Sequence, residues 1–167
     1  MSIAKKIVLA LPLIWSTHVA LADSQAKAVM KLTQDSQVIG TVSASNSKYG
    51  LLLNPALSHL PPGTHGFHLH LGGSCEQQGM AAKGHFDPQK TGSHRGPYQS
   101  GHLGDLPVLI VNAKGEASLP LLAPRLTVKQ VIGRSLMIHA GSDNYSDEPL
   151  KLGGGGARLA CGVFKQG

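Results

Sequence analysis

The sequence predicts an all-β domain, a sandwich or flattened barrel of about eight strands. Short segments along most of the chain alternate apolar and polar residues, which is the period of a strand that buries one face. Signals for helices are few, and two long glycine-rich stretches interrupt the alternation. Short alternating strands with long connecting loops are typical of β-sandwiches and barrels.

The first half of the chain supplies three alternating segments. Residues 28–32 and 38–44 repeat small or apolar residues at every second position, and residues 50–57 continue until Asn54-Pro55 interrupts them. A turn or linker at 60–63, Leu-Pro-Pro-Gly, ends this group. The positions predicted to share a face within each of the first two strands are Ala28, Met30 and Leu32, then Val38, Gly40, Val42 and Ala44.

Residues 65–71 are predicted to form a strand that carries three histidines. Phe67 and Leu69 share one face, which suits a core, so His68 and His70 share the opposite, outer face. Two imidazoles on one face are half of a metal site. His65 falls on the apolar face, where we expect a hydrogen-bonded structural residue. An edge strand with solvated histidines is the alternative interpretation.

A long stretch without strand character follows at residues 72–104. It contains eight glycines and few large apolar side chains. A structureless stretch of this length is unusual inside a compact domain, so something other than a core must hold it. The side chains suited to that purpose are Cys75, His85, His94, His102 and Asp105.

The second half returns to strands around another long loop. In order along the chain, the expected elements are strand 106–111, a hairpin turn at 112–115, strand 116–122, a loop at 127–133, strand 135–139, a second long loop at 141–157 and strand 159–164. In strand 135–139, Leu136 and Ile138 share one face, while Met137 and His139 share the other.

The first 22 residues have the pattern of a secretory signal peptide. Lys5 and Lys6 form a basic start, residues 7–15 form an apolar run, and Ala-Leu-Ala ends the segment at Ala22. The apolar run is shorter than the roughly 20 residues that span a bilayer, which argues against a retained anchor. We therefore expect cleavage after Ala22, a mature domain of residues 23–167, and no membrane anchor in it.

Charge and cysteine content narrow the function classes. The net charge is +6, but no Arg/Lys cluster with interleaved aromatic residues occurs, so nucleic-acid binding is not expected. A small anionic substrate is compatible with this charge. Cys75 and Cys161 are the two cysteines, and export to an oxidising compartment favours a disulfide worth roughly 4–5 kcal/mol. Two buried free thiols are the alternative.

Six motifs follow one another along the chain. They are His-Gly-Phe-His-Leu-His at 65–70, Gly-His-Phe-Asp-Pro at 84–88, His-Arg-Gly-Pro at 94–97, His-Leu-Gly-Asp-Leu-Pro at 102–107, Gly-Arg-Ser-Leu-Met-Ile-His at 133–139 and Gly-Ala-Arg-Leu-Ala-Cys-Gly-Val at 156–163. Together they resemble the Cu,Zn superoxide dismutases of the bacterial, exported type. The resemblance covers most of residues 26–165. It implies a Greek-key barrel, a periplasmic location and the disproportionation of superoxide.

The resemblance also implies roles for individual residues. The residues that match copper ligands are His68, His70, His85 and His139. The residues that match zinc ligands are His85, His94, His102 and Asp105, so His85 would bridge the two metals. Arg158 matches the arginine beside the copper, Asp143 matches an aspartate that links ligands of both metals, and Cys75 and Cys161 match an intrachain disulfide. Three histidines and an aspartate suit structural zinc, and four imidazoles suit Cu(II).

Other functions and assemblies stay open at this point. A non-enzymatic periplasmic copper or zinc buffer could use the same ligands, although it would have no use for Arg158 as an anion guide. A zinc hydrolase would need an open zinc position, which a four-ligand set does not leave. Lys83 is a candidate for attracting the anion. The dimer interface differs between branches of the family, so both a monomer and a homodimer are compatible with the sequence.

Overall fold

Nine β-strands, one short α-helix and two short 3₁₀ helices, Met80–Ala82 and Lys151–Gly154, form the domain in a computed structural model that describes residues 25–167. The strands are β1 Gln25–Leu32, β2 Val38–Ser47, β3 Gly50–Leu57, β4 Gly63–His65, β5 Phe67–Leu69, β6 Leu109–Val111, β7 Leu121–Ala123, β8 Ser135–His139 and β9 Arg158–Gln166. The helix is α1 Val128–Val131. The expected signal peptide lies outside the described residues.

Seven of these strands form one antiparallel sheet in the order β5-β8-β9-β1-β2-β3-β7, and β4 pairs with β6 in a separate ladder. The large sheet curls into a half-barrel around a core of aliphatic side chains and two phenylalanines, with a third, Phe86, at its edge. The all-β prediction is therefore confirmed. The expected Phe67, Leu69, Leu136 and Ile138 all belong to this core.

The predicted face of β2 is wrong at its first position. Val38 is exposed and its neighbour Ile39 is buried. A β-bulge causes the change, because Met30 pairs with Gly40 and Lys31 pairs with Val38, which leaves Ile39 as an extra residue. A side chain at position 40 would collide with the Ala56 carbonyl oxygen.

Pro55 does not interrupt β3, contrary to the prediction. The strand continues through it to Leu57, with Pro55 paired opposite Val42. The Leu57 N–H donates to the Ala117 carbonyl on the side away from β2. Residue 55 has the same orientation, and β7 pairs with β3 only at 51–53, so the missing N–H of proline breaks no ladder bond.

The histidine segment forms two strands instead of one, which explains why the count is higher than eight. β4 pairs with β6, whereas β5 pairs with β8, and the chain changes partners at Gly66. Gly66 donates to the Gly141 carbonyl and accepts from the His139 N–H. A Cβ atom at Gly66 would lie 3.2 Å from the His68 ring.

The hairpin predicted around residues 112–115 is also wrong, although the turn itself forms. Asn112 donates to the Glu116 carbonyl, but β6 then pairs with β4 and β7 pairs with β3, so the two strands do not pair together. The loop expected at 127–133 contains the helix α1, whose Val128 N–H donates to the Asn46 side chain.

Two long segments between strands carry the residues that the sequence analysis singled out. Residues 70–108 connect β5 to β6, and residues 140–157 connect β8 to β9. Within residues 25–167, no helix has the length and apolar content needed to cross a bilayer.

Candidate metal centre

Four imidazoles from distant parts of the chain meet at one point. His68 lies in β5, His70 follows it, His85 lies in the first long segment, and His139 ends β8. One ring nitrogen from each lies within 4.8 Å of the others. All four side chains are buried, so the face predicted to be outward is covered by the long segments.

Backbone pairing explains how these residues are brought together. The first long segment folds back onto β5, where the Phe86 N–H donates to the Leu69 carbonyl and Leu69 donates to Gly104. Bridges between strands place His70 opposite His85 and His68 opposite Asp105. Side chains directly opposite each other lie close enough to share a ligand.

Three of these rings have one nitrogen engaged in a hydrogen bond and one without a partner among residues 25–167. The engaged atoms are His68 Nε2 with Asp143, His70 Nδ1 with the Lys83 carbonyl and His139 Nδ1 with the Gly156 carbonyl. The remaining nitrogens, His68 Nδ1, His70 Nε2 and His139 Nε2, are buried without a hydrogen-bond partner. Buried nitrogens without partners are costly unless something binds them, so this group fits a metal ion.

A second group, His85, His94, His102 and Asp105, lies beside the first. The Nδ1 atoms of the three rings lie 3.0, 3.0 and 3.4 Å from the same oxygen, Asp105 Oδ1. His94 Nδ1 and His102 Nδ1 nevertheless lack an aligned hydrogen bond. Three nitrogens and a carboxylate converging without alignment are the donor set of a tetrahedral zinc site.

His85 belongs to both groups. Its Nδ1 faces Asp105 in the second group, so its Nε2 is the atom available to the first. The centre of its ring lies 4.0 Å from that of His68 and 5.1 Å from that of His70 in one group. It lies 5.4 Å from His94 and 5.5 Å from His102 in the other. The arrangement allows one imidazole to contact two metal ions.

Asp143 links the two groups from the second long segment. Its carboxylate accepts hydrogen bonds of 2.8 Å from His68 Nε2 and from His94 Nε2. The Tyr145 N–H donates to the same carboxylate. These bonds fix which nitrogen of His68 and His94 is left for a metal, which is how a carboxylate orients metal-binding histidines.

Burial keeps the first group neutral. It is the main reason that the pKa of His70 falls to about 2, that of His68 to about 3 and that of His139 to about 4, and the neighbouring His85 adds repulsion. Neutral imidazoles have a lone pair ready for a metal, so binding at these three rings requires no loss of a proton at neutral pH.

His94 in the second group has the opposite tendency. Burial opposes its charged form, but the carboxylates of Asp105 and Asp143 raise its pKa to about 9. Burial would raise the pKa of both aspartates, but hydrogen bonds from histidines hold it well below the usual range. His102, His85 and His94 act on Asp105, and His68 and His94 act on Asp143. Because a proton and a metal cannot share one nitrogen, metal binding here must displace the proton from His94.

Arg158 begins β9 beside the first group. Its guanidinium donates to the carbonyl oxygens of Gly79 and Lys83, and its charge contributes to the lowered pKa values of His70 and His139. Lys83 is exposed, with φ of 65° and ψ of −150°, a backbone conformation that favours glycine. Nothing in the local sequence pattern indicated that the Lys83 carbonyl holds Arg158.

A disulfide joins Cys75 to Cys161. It attaches the segment that carries Gly79 and Lys83 to β9, three residues beyond Arg158.

His65 lies outside both groups, as expected. It is buried and its ring contacts the carbonyl oxygens of His139 and Pro61, which is a structural role.

Comparisons with known proteins agree with one another. The family model described as copper/zinc superoxide dismutase (SODC) matches residues 38–164. A superoxide dismutase [Cu-Zn] of Legionella pneumophila is 48% identical over 149 residues, covering 89% of this chain and 91% of that protein.

Solved structures give the same result. The Cu/Zn superoxide dismutase from Brucella abortus superposes with a TM-score of 0.79 at 44% identity, covering 83% of this chain and 98% of that one. The monomeric copper, zinc superoxide dismutase from Salmonella enterica gives a TM-score of 0.74 at 50% identity, covering 85% and 100%.

Proposed function

The chain belongs to the copper/zinc superoxide dismutase family, and from this we propose that it converts two superoxide anions and two protons into dioxygen and hydrogen peroxide. The observation that carries the proposal is the set of buried, unpaired ring nitrogens on His68, His70 and His139, which face one point beside Arg158. That set fits a redox metal with an anion guide next to it.

We assign copper and zinc to the two groups by their donor atoms. Copper would be held by His68, His70, His85 and His139, and zinc by His85, His94, His102 and Asp105. Bound there, copper supplies the one-electron redox chemistry of the reaction, while zinc is structural.

Arg158 is proposed to bind the substrate. Its guanidinium is held by two backbone carbonyl oxygens, and among residues 25–167 no salt bridge neutralises its positive charge. It is only half-buried and can offer charge and remaining N–H groups to a small anion.

His85 is proposed to deliver a proton. Its Nδ1 is directed at Asp105, and its Nε2 points toward the three unpaired nitrogens of the first group. The reduced product, peroxide, must gain two protons to leave as hydrogen peroxide. We propose that Nε2 of His85, at a stage when it would not be bound to copper, takes up a proton from solvent and passes it to peroxide, and that solvent supplies the second proton directly.

We further propose that residues 1–22 are removed and that residues 23–167 function in the periplasm. The disulfide between Cys75 and Cys161 supports an oxidising compartment, and the basic start and apolar run support export. The mass of the protein recovered from the periplasmic fraction tests the cleavage site. Sedimentation velocity of the mature chain distinguishes a monomer from a homodimer.

The decisive experiment measures dismutase activity on protein loaded with copper and zinc, together with metal analysis and the Cu(II) electron spin resonance spectrum. We expect superoxide removal and nitrogen couplings from several imidazoles. A fully loaded sample without activity would contradict the enzyme and leave the alternative, a periplasmic copper or zinc buffer. A spectrum without nitrogen couplings would contradict the copper assignment.

A further inference from the structure

Arg125 holds the segment that connects two of the proposed zinc ligands. It lies between β7 and α1, outside both metal-binding groups. Its guanidinium donates four hydrogen bonds to backbone carbonyl oxygens of the first long segment. The bonds are Nε to Pro97 at 3.1 Å, Nη1 to Gly101 at 3.2 Å, Nη2 to Gly96 at 3.3 Å and Nη2 to His102 at 2.7 Å.

In the part of the chain that the structure describes, no carboxylate pairs with this guanidinium. Every ion pair within residues 25–167 joins a histidine to an aspartate. The charge of Arg125 is therefore met by the negative ends of peptide dipoles. A guanidinium has five N–H donors in a rigid plane. Arg125 uses at least three of them in hydrogen bonds to residues 96–102. It therefore links the segment after β7 to the first long segment.

The piece of backbone that it holds has little else to order it. Residues 96–102 contain no strand or helix, and Tyr98 at the centre is 66% exposed. Its other backbone hydrogen bonds run from the Gly101 N–H to the Gln99 carbonyl, from the His102 N–H to the Ser93 carbonyl and, at 3.4 Å, from the Asp105 N–H to the His102 carbonyl. Both ends of the segment are buried, but its centre, residues 98–100, is exposed, so burial alone does not fix the path of the backbone that leads to His102.

Arg125 itself is firmly placed. Its neighbour Leu126 and the nearby Ala123 are buried in the core, and β7 pairs with β3 just before it. Its shortest bond reaches the carbonyl of His102, a residue whose ring belongs to the second metal-binding group. The arginine thus connects the sheet to the backbone of a ligand residue.

We propose that Arg125 is a positioning residue for the zinc site, which orders residues 96–102 before the metal binds and so slows zinc release. The proposal rests on the zinc assignment made above. Without the guanidinium, zinc would have to order the segment itself, and the entropy cost would reduce its affinity. Residues that orient metal ligands typically contribute about 10–100-fold in affinity.

The test follows metal release from the copper- and zinc-loaded protein after addition of the chelator 4-(2-pyridylazo)resorcinol. In Arg125→Ala we expect zinc to leave at least about tenfold faster than in the unmodified protein, with copper content unchanged before the challenge. Arg125→Lys should lie between the two, because an ammonium has three donors and lacks the planar fork. The lysine variant also serves if the alanine variant does not fold.

Asn46→Ala is the matched control. The Asn46 side chain accepts a hydrogen bond from the N–H of Val128, which lies three residues after Arg125 in the sequence. This bond does not involve residues 96–102. The thermal midpoint of Asn46→Ala shows how much stability this variant loses, and its zinc release then shows whether lost stability alone speeds release. Zinc release from Asn46→Ala should match that of the unmodified protein.

Two results would overturn the inference: zinc retention in Arg125→Ala equal to that of the unmodified protein, or equally fast release from Asn46→Ala. A failure of the proposed function is distinguishable, because the unmodified protein would then hold no zinc or show no dismutase activity.

Discussion

The ring of His70 and the guanidinium of Arg158 donate hydrogen bonds to the same backbone carbonyl oxygen, that of Lys83. A residue of the proposed copper site and the proposed anion guide are therefore positioned by one atom. The disulfide at Cys75 attaches the segment that carries this atom to β9. The position of the guanidinium relative to the metal thus depends on the conformation at residue 83.

Arg158→Ala is expected to lower kcat/KM by about 10–100-fold while copper and zinc are retained. His70 keeps its own bond to the Lys83 carbonyl, so its ring should not turn when the guanidinium is removed. Pulse radiolysis and metal analysis on the same sample measure both quantities. Lys129→Ala, on the exposed side of α1, is the control. Unchanged activity in Arg158→Ala would show that Arg158 does not guide the anion.

Asp143→Asn is expected to weaken zinc binding by about tenfold or more. The carboxylate accepts from both His68 and His94, whereas an amide offers one oxygen and turns N–H groups toward the other ring. Competition with a zinc chelator measures the affinity. Asp35→Asn is the matched control, since Asp35 is exposed and accepts from the nearby Gln37 N–H. Equal zinc affinity in both variants would show that Asp143 does not orient the ligands.

Acid is expected to destabilise the metal-free protein below about pH 6.5. Burial lowers the pKa values of His68, His70 and His139 to between about 2 and 4 in the folded state, while the unfolded chain takes up protons near the ordinary value. The unfolded state therefore binds more protons in this window, so the stability present above it is lost as the pH falls. His94, whose pKa is raised to about 9, acts in the opposite sense, since its contribution is lost as the pH rises toward 9.

Thermal unfolding between pH 4 and pH 9 measures this balance. The midpoint of the metal-free protein should fall by more than about 5 °C from pH 7 to pH 4.5, because His68, His70 and His139 lose stability across this range, whereas folded His94 stays protonated throughout it. Bound metal should reduce the slope, since the ligand nitrogens are then unavailable to protons until the metal leaves. A constant midpoint for the metal-free protein would contradict the burial of these rings.

Lys83→Gly is expected to raise stability and lower the reaction rate at the same time. Residue 83 has a backbone conformation that favours glycine, so glycine should add about 1 kcal/mol to the free energy of unfolding. Loss of the exposed ammonium should reduce kcat/KM at low salt by about twofold and weaken its dependence on ionic strength. Lys83→Ala separates the two effects, since it should lower the rate without the gain in stability. A rate equal to that of the unmodified protein in both variants would exclude Lys83 from attracting the anion.

Alternation along the chain was enough to place Phe67 and Leu69 in the core and to turn His68 and His70 the other way. It could not show that the chain changes sheets at Gly66, because pairing partners are set by tertiary contacts. It also could not show the bulge at Ile39, which depends on a register between two strands.

Alternation alone placed His68 and His70 on one face as half of a metal site, and the other candidate ligands came from the resemblance of six motifs to a known family. Arg125 offered no such signal. A single arginine in an irregular segment is usually a surface residue, and its four acceptors are backbone atoms more than twenty positions away. The role of the Lys83 carbonyl could not be predicted from the sequence either, because every residue has a backbone carbonyl and nothing marks which one accepts a hydrogen bond.

The pairing of β5 with β8 has one more consequence. Phe67 lies opposite Ile138, and Leu69 lies opposite Leu136. A shift of one residue in this register would turn His68 and His70 into the hydrophobic core and expose Phe67 and Leu69 to water. A chain with this shifted register would be less stable even without metal. Hydrophobic packing alone therefore selects the register that brings the copper-binding histidines together.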